Sequence, residues 1–198
     1  MDLALPSLLL LLMGYSLIGE AFHEAAGAVM CGLVLAHLWH NRGWLKNMTN
    51  GRYSLARIFR TVCFFALLAV TLAQLVSGVL ISGRVFPFPA MDGISADARA
   101  AHLCTAYWCF SLMAVHAGIH LSSLAALVQK KIPAIFFCMV TLLLVIIGAY
   151  GAYAFVLRSF PDYMFLQKAF ACFNFDEPLI FFLADYAAIF CSSSTKMN

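Results

Sequence analysis

Apolar residues fall in five long runs, at about 3–18, 20–41, 58–83, 100–128 and 133–157, followed by a shorter run at 177–191. About 20 apolar residues is the length a helix needs to cross a hydrocarbon core of about 30 Å. The pattern therefore predicts an all-α integral membrane bundle of five to six transmembrane or membrane-embedded helices in a single domain. Reading residues 3–41 as one helix would demand roughly 58 Å, about twice that thickness. Gly14, Gly19 and Glu20 instead suit a tight turn between the first two runs. The first run has neither a basic opening nor a small-x-small cleavage site, so it reads as a retained segment rather than a signal peptide. The last run reaches only roughly 22 Å and leaves its full crossing open.

Composition agrees with the pattern. Of 198 residues, 64% are hydrophobic and 11% charged, against roughly a quarter charged in soluble domains, and mean hydropathy is +0.91. Membrane lipid is thus a partner. A net charge of +3 is too small and too local to suggest nucleic acid. The basic residues sort by loop instead. Arg42, Lys46, Arg52, Arg57 and Arg60 follow the second run, and Lys130 and Lys131 precede the fifth, with no acid among them. The opposite loops mix Arg84, Arg99, Arg158 and Lys168 with Asp92, Asp97, Asp162, Asp176 and Glu177. By the positive-inside rule the first set and the N-terminus are cytoplasmic, so the second and fourth runs are parallel, both passing from outside to inside. Seven cysteines form no C-x-x-C and no C-x-x-C-H, which argues against covalent haem and iron–sulfur sites; they read as small hydrophobes.

The histidines carry the candidate chemistry. His23 and His37 are fourteen residues apart in one apolar run, and His102 and His116 are fourteen apart in another. Fourteen helical residues turn roughly 1400°, close to four full turns, and climb roughly 21 Å, so each pair shares a helix face. On two parallel helices this offers one imidazole from each side at two depths, as two bis-histidine haems require. The expectation is that His23 faces His102 near the outer surface and His37 faces His116 near the inner one. His120, one turn after His116, is an alternative inner ligand, while His40 beside Asn41 reads as interfacial. An isolated imidazole at membrane depth is costly enough to suggest function.

Other residues surround this scheme. Gly27, Gly32 and Gly118, with the small residues from Ser77 to Gly83, leave room near the ligands or serve helix packing. Arg84 and Arg99 border the outer level and suit propionate carboxylates. Glu20 and Glu24 flank His23 and are expected at the exposed interface, with orientation of its ring as the other option. Asp185 is the one carboxylate well inside an apolar run, fit for a proton relay, a quinone head group or an interface. Asp176 and Glu177 before Pro178 read as a helix start. The alternation of charge and aromatics from Arg158 to Phe173 suits a segment lying on the outer membrane surface.

The strings His23-Glu24-x-x-Gly27, His37-Leu38-x-x-Asn41-x-x-Trp44, Ser77-Gly78-x-x-Ile81-Ser82-x-x-Val85-Phe86, His102-Leu103, Tyr107-Trp108 and His116-x-Gly118-x-His120 resemble the flavinylation-associated cytochromes of bacterial membranes. Asp176-Glu177-Pro178-Leu179 and Asp185-Tyr186 are similar to that family's last segment, and the likeness spans roughly residues 10–190. The chain departs from it in lacking a basic opening stretch and in meeting Ser192–Thr195 soon after Asp185-Tyr186. The resemblance implies a protein of the bacterial inner membrane holding two haem b and passing electrons across it, often towards extracytoplasmic flavin-bearing redox partner proteins. A quinone stays open as a further cofactor. The competing readings are a quinone-reactive cytochrome b subunit of a larger dehydrogenase or reductase, a divalent-metal transporter using the same histidines, and an anchor without redox activity. No nucleotide-binding glycine loop and no nucleophile with a base is visible, so substrate chemistry is assigned to partners.

Overall fold

The computed structural model describes residues 3–48, 50–87, 94–129 and 133–195, with side chains throughout except at 94–95, 122–129 and 193–195. Asp92, Lys130 and Lys131, used above to sort the loops, lie outside the described residues. All regular structure among the described residues is helical: α1 (Ala4–Met13), α2 (Tyr15–Ile18), α3 (Glu20–His40), α4 (Arg42–Lys46), α5 (Leu55–Ile81), α6 (Ile94–Gln129), α7 (Ala134–Leu157), α8 (Phe160–Met164) and α9 (Leu179–Thr195).

Three helices, α3, α5 and α7, are long and apolar enough to cross a membrane. A helical membrane bundle is thus supported, with three full-length apolar spans among the described residues. Two of the expected runs take another form. The first run is not one helix: α1 stops at Gly14, whose N–H turns back to Leu11 O at 3.0 Å, and glycine costs about 1 kcal/mol relative to alanine in a helix interior. Ten residues of α1 rise only about 15 Å, half the hydrocarbon thickness. Leu5, Leu9 and Met13 recur every four residues along it and are buried inside the bundle. The fourth run becomes the longest helix, α6, which opens with Asp97 and Arg99 and carries three histidines. Between α2 and α3, Gly19 takes φ +86°, a backbone that L side chains rarely adopt, so the turn expected there is made by the glycine.

Helices α5 and α6 form an antiparallel hairpin, α9 packs on α7 and α6, and α1 lies against α3, α6 and α9. Thr71 meets Cys109 and Ser77 meets His102, which sets the α5–α6 direction. Glu24 on α3 reaches residues 82–85 just beyond α5, while Trp44 after α3 meets Phe64 early in α5, their rings tilted and their centres 4.9 Å apart. Therefore α3 runs antiparallel to α5 and parallel to α6, as the charge pattern predicts.

The core sits between α1, α6, α7, α8 and α9. Phe110, Phe160 and Ile189 are fully buried, and Tyr107 stacks on Tyr163 at 4.5 Å. The indole N–H of Trp108 donates to Met164 O at 2.9 Å, holding α8 on α6. The outward side of α7 is unbroken apolar surface, with Ile135, Met139 and Leu142 each more than half exposed. Such a face belongs against acyl chains. Of the segment from Arg158 to Phe173 read as lying on the membrane surface, Phe165 and Phe170 are exposed, but Phe160 and Tyr163 are buried in the core, because α8 packs on α6.

Candidate functional site

The site grows from a polar stripe on α5. Gln74, Ser77 and Gly78 fall at i, i+3 and i+4, one helix face, which is turned to α6. His102 of α6 lies on this stripe. Its Nδ1 is 3.2 Å from both Gln74 O and Ser77 Oγ, and its Nε2 is 3.1 Å from the amide nitrogen of Gln74. One tautomer satisfies all of these: Nδ1–H donates to the Gln74 carbonyl and the Gln74 amide N–H donates to the Nε2 lone pair. Thr105 Oγ1 in turn donates to Gln74 Oε1 and holds the amide in that orientation. Gly78 makes the approach possible, because a Cβ there would stand 3.1 Å from His102 Cε1.

His23 enters from α3. Its ring meets that of His102 edge to face, centroids 6.2 Å apart at 76°, and meets Tyr15 at 5.1 Å. Its Nδ1 is enclosed and has no hydrogen-bond partner, a costly state for a buried polar atom unless something else takes the lone pair or proton. One turn further along α3, a Cβ added at Gly27 meets nothing within 4 Å, and the same holds at Gly32, so open space flanks the histidine-bearing helix.

Glu24 fixes the height of α3. Its carboxylate accepts from Ser82 Oγ at 2.7 Å and from the backbone N–H groups of Gly83, Arg84 and Val85 at 3.2, 3.0 and 3.0 Å. The exposed interface position expected for Glu24 is therefore corrected: four donors hold it against the chain leaving α5, and it does not orient the His23 ring. The donors exist because the chain leaves helical geometry at Ser82, exposing N–H groups that no helix satisfies. Glu20, by contrast, is exposed and lies 3.8 Å from Arg84. Arg84 and Arg99 are both exposed on the His23–His102 end of the bundle.

The second level follows from helix geometry. Because α3 and α6 are parallel, His37 and His116 each lie roughly 21 Å further along from the first pair. His37 is half-buried and its Nε2 is 3.4 Å from Asn41 Nδ2, which also donates to His37 O at 2.9 Å. His116 is half-buried and its ring is 4.8 Å from that of His120, which is exposed. His40 is exposed at the end of α3. The cysteines are all free thiols, and Cys138 and Cys172 are exposed rather than buried as expected, Cys138 because it lies on the unpacked α7.

A charge cluster that the sequence reading did not assemble lies at the His23–His102 end. Arg158, capping α7, donates to Asp185 Oδ2 from Nε at 2.9 Å and to Glu177 Oε2 from Nη1 at 2.7 Å, and Nη2 bridges both carboxylates. Tyr150 donates to the other oxygen of Asp185. The two carboxylates push the guanidinium further up from its ordinary range. Asp185 thus has a counter-ion. The signal for the pairing was the buried carboxylate itself, which demands a cation, but spacing alone does not say which. Beside it lies a cavity of about 250 Å³ lined by Tyr107, Arg158, Tyr163, Lys168 and Tyr186 among others.

Among the described residues no group of three or more His, Cys, Asp or Glu is gathered tightly enough to hold a metal ion by itself. The donor set at the first level is two imidazoles and no carboxylate. His23 offers an enclosed Nδ1 without a hydrogen-bond partner and open space at Gly27, while His102 turns its Nε2 to Gln74, so a group held by both imidazoles would have to displace that amide. Comparison with known proteins adds no constraint: no family model matches the chain, and neither a curated protein nor a solved structure matches it.

Proposed function

We propose that the protein is a di-haem b-type membrane cytochrome carrying electrons across a bacterial inner membrane, N-terminus in the cytoplasm, between a quinol or cytoplasmic-side donor and an extracytoplasmic redox partner such as a flavoprotein. The observation that carries this reading is the meeting of His23 and His102, 6.2 Å apart, on parallel helices, with a second histidine on each helix one 21 Å rise away.

In this reading His23 and His102 would hold the outer haem, and His37 with His116 the inner one, His120 being the alternative. A haem in such a site supplies one-electron transfer at its iron. Ser77 and the Gln74 carbonyl orient His102 through Nδ1, the pattern by which ligating histidines are held. Gln74 covers the Nε2 lone pair of His102 and would have to turn aside for a ligand. Glu24 holds α3 so that His23 stays at the depth of His102. Arg84, loosely paired with Glu20, and Arg99 are exposed at the outer end, where they would meet propionates or an acidic partner surface. The five to six membrane-embedded helices of the full scheme include α6 and the shorter α1 and α9 packed among the three long spans.

The test is the visible spectrum of the purified protein with its haem content. Two low-spin b-type haems per chain, with split reduced bands, are expected. A colourless protein retaining bound zinc would put metal transport in its place, and one without haem or metal would leave an anchor.

A further inference from the structure

The opposite end of the bundle holds a second cavity, of about 370 Å³, between the α4 turn and the start of α5. Arg57, Arg60, Thr61, Ser54, Asn47 and Trp44 line it. Its volume is that of a small-molecule site.

Three observations bear on its occupant. The first is charge: Arg57 and Arg60 form no ion pair with a carboxylate among the described residues, and the sequence has no Asp or Glu anywhere from residue 25 to residue 91. Arg57 spends its Nη2 donors on the carbonyls of Asn47 and Met48, at 3.1 and 2.9 Å, and lies over the Tyr53 ring, so it shapes the wall with no carboxylate against its charge among the described residues. Among the described residues Arg60 bonds through Nε alone, to Ala56 O at 3.3 Å, and its two Nη groups make no bond. The second is an orphan: Thr61 Oγ1 is enclosed without a partner, although a helical threonine ordinarily bonds the carbonyl one turn back. The third is depth. Arg60 and Thr61 lie within two turns of the start of an apolar span, roughly 9 Å along it, at the level of the lipid head groups. Exposed Trp39 and Trp44 at the same end mark that level.

We propose that this cavity binds the phosphate of an anionic phospholipid, with Arg60 and the hydroxyl of Thr61 as the ligating groups and Arg57 as the fixed background charge. A guanidinium and a hydroxyl donor are what a phosphodiester oxygen pair takes. Basic pockets between spans at a membrane face are where such head groups lodge. The site is independent of the haem assignment.

Native mass spectrometry of the full-length protein, and its thermal midpoint in vesicles of phosphatidylcholine with and without phosphatidylglycerol, test the site. The wild type should retain one phosphatidylglycerol and melt higher in its presence. Arg60→Gln and Thr61→Val should each weaken retention about tenfold, one charge-assisted hydrogen bond, while melting normally in phosphatidylcholine alone. Arg52→Gln, a loop arginine outside the cavity, should behave as wild type. Equal retention in all variants, or an equal loss in Arg52→Gln, would overturn the site in favour of diffuse surface charge. Protection by inorganic phosphate as strong as that by the lipid would overturn the lipid assignment.

Discussion

Arg158→Met should destabilise the protein by about 3 kcal/mol, the lower end of the range for breaking a buried ion pair by removing one partner. The substitution keeps an unbranched apolar stem and removes the charge. Asp185 and Glu177, with only 10% and 18% of their side chains exposed, would then be left as two neighbouring carboxylates with no cation. Both are drawn from α9 and its approach, so the loss should fall on the docking of α9 against α7. In a chain of this size the thermal midpoint should drop by about 10 °C. Adding Asp185→Asn and Glu177→Gln to Arg158→Met should recover much of that loss, because neutral amides no longer carry the desolvation cost of charge. Thermal unfolding in one detergent, single variant against triple variant, decides it. A triple variant no better than Arg158→Met would mean that the arginine acts by packing over Phe182.

Gly151→Leu should separate α7 from α9 outright. A Cβ at Gly151 would overlap the carbonyl group of Ala188 and stand 2.9 Å from Ile189 N, and these are backbone atoms that cannot rotate away. Gly151→Ala is the more informative variant. In a helix interior that change alone favours folding by about 1 kcal/mol, whereas overpacking costs about 1–3 kcal/mol. Net destabilisation by Gly151→Ala, and failure to fold or loss of α9 protection from proteolysis with Gly151→Leu, are expected. A stabilised alanine variant would show that the two helices do not cross so closely.

These two sites also mark where the sequence stopped being legible. The apolar runs predicted α3, α5 and α7 within a few residues, because a span's length is fixed by the bilayer. The loop charges predicted that α3 and α6 run parallel, and the fourteen-residue spacing picked out His23 and His102, which the fold brings together. Gly151 could not be read, since a glycine in an apolar helix looks the same whether it faces lipid or another backbone. Arg158 was assigned to the membrane surface by its aromatic neighbours, although Asp185, 27 residues on, needed a cation. The role of Glu24 was missed for a different reason. Its partners are backbone N–H groups beyond α5, and backbone donors leave no trace in residue identity. The break of the first run at Gly14 was signalled by composition and underestimated.

The haem content of purified His23 and His102 variants tests the central proposal most directly. His23→Ala and His102→Ala should each lower the count from two haems to one, removing the same spectral component, and the double variant should lose no more than either single one, since the two imidazoles serve one iron. His37→Ala should remove the other component and leave the first. Two haems retained in both His23→Ala and His102→Ala, or losses that add in the double variant, would contradict the pairing of these two side chains on a common haem.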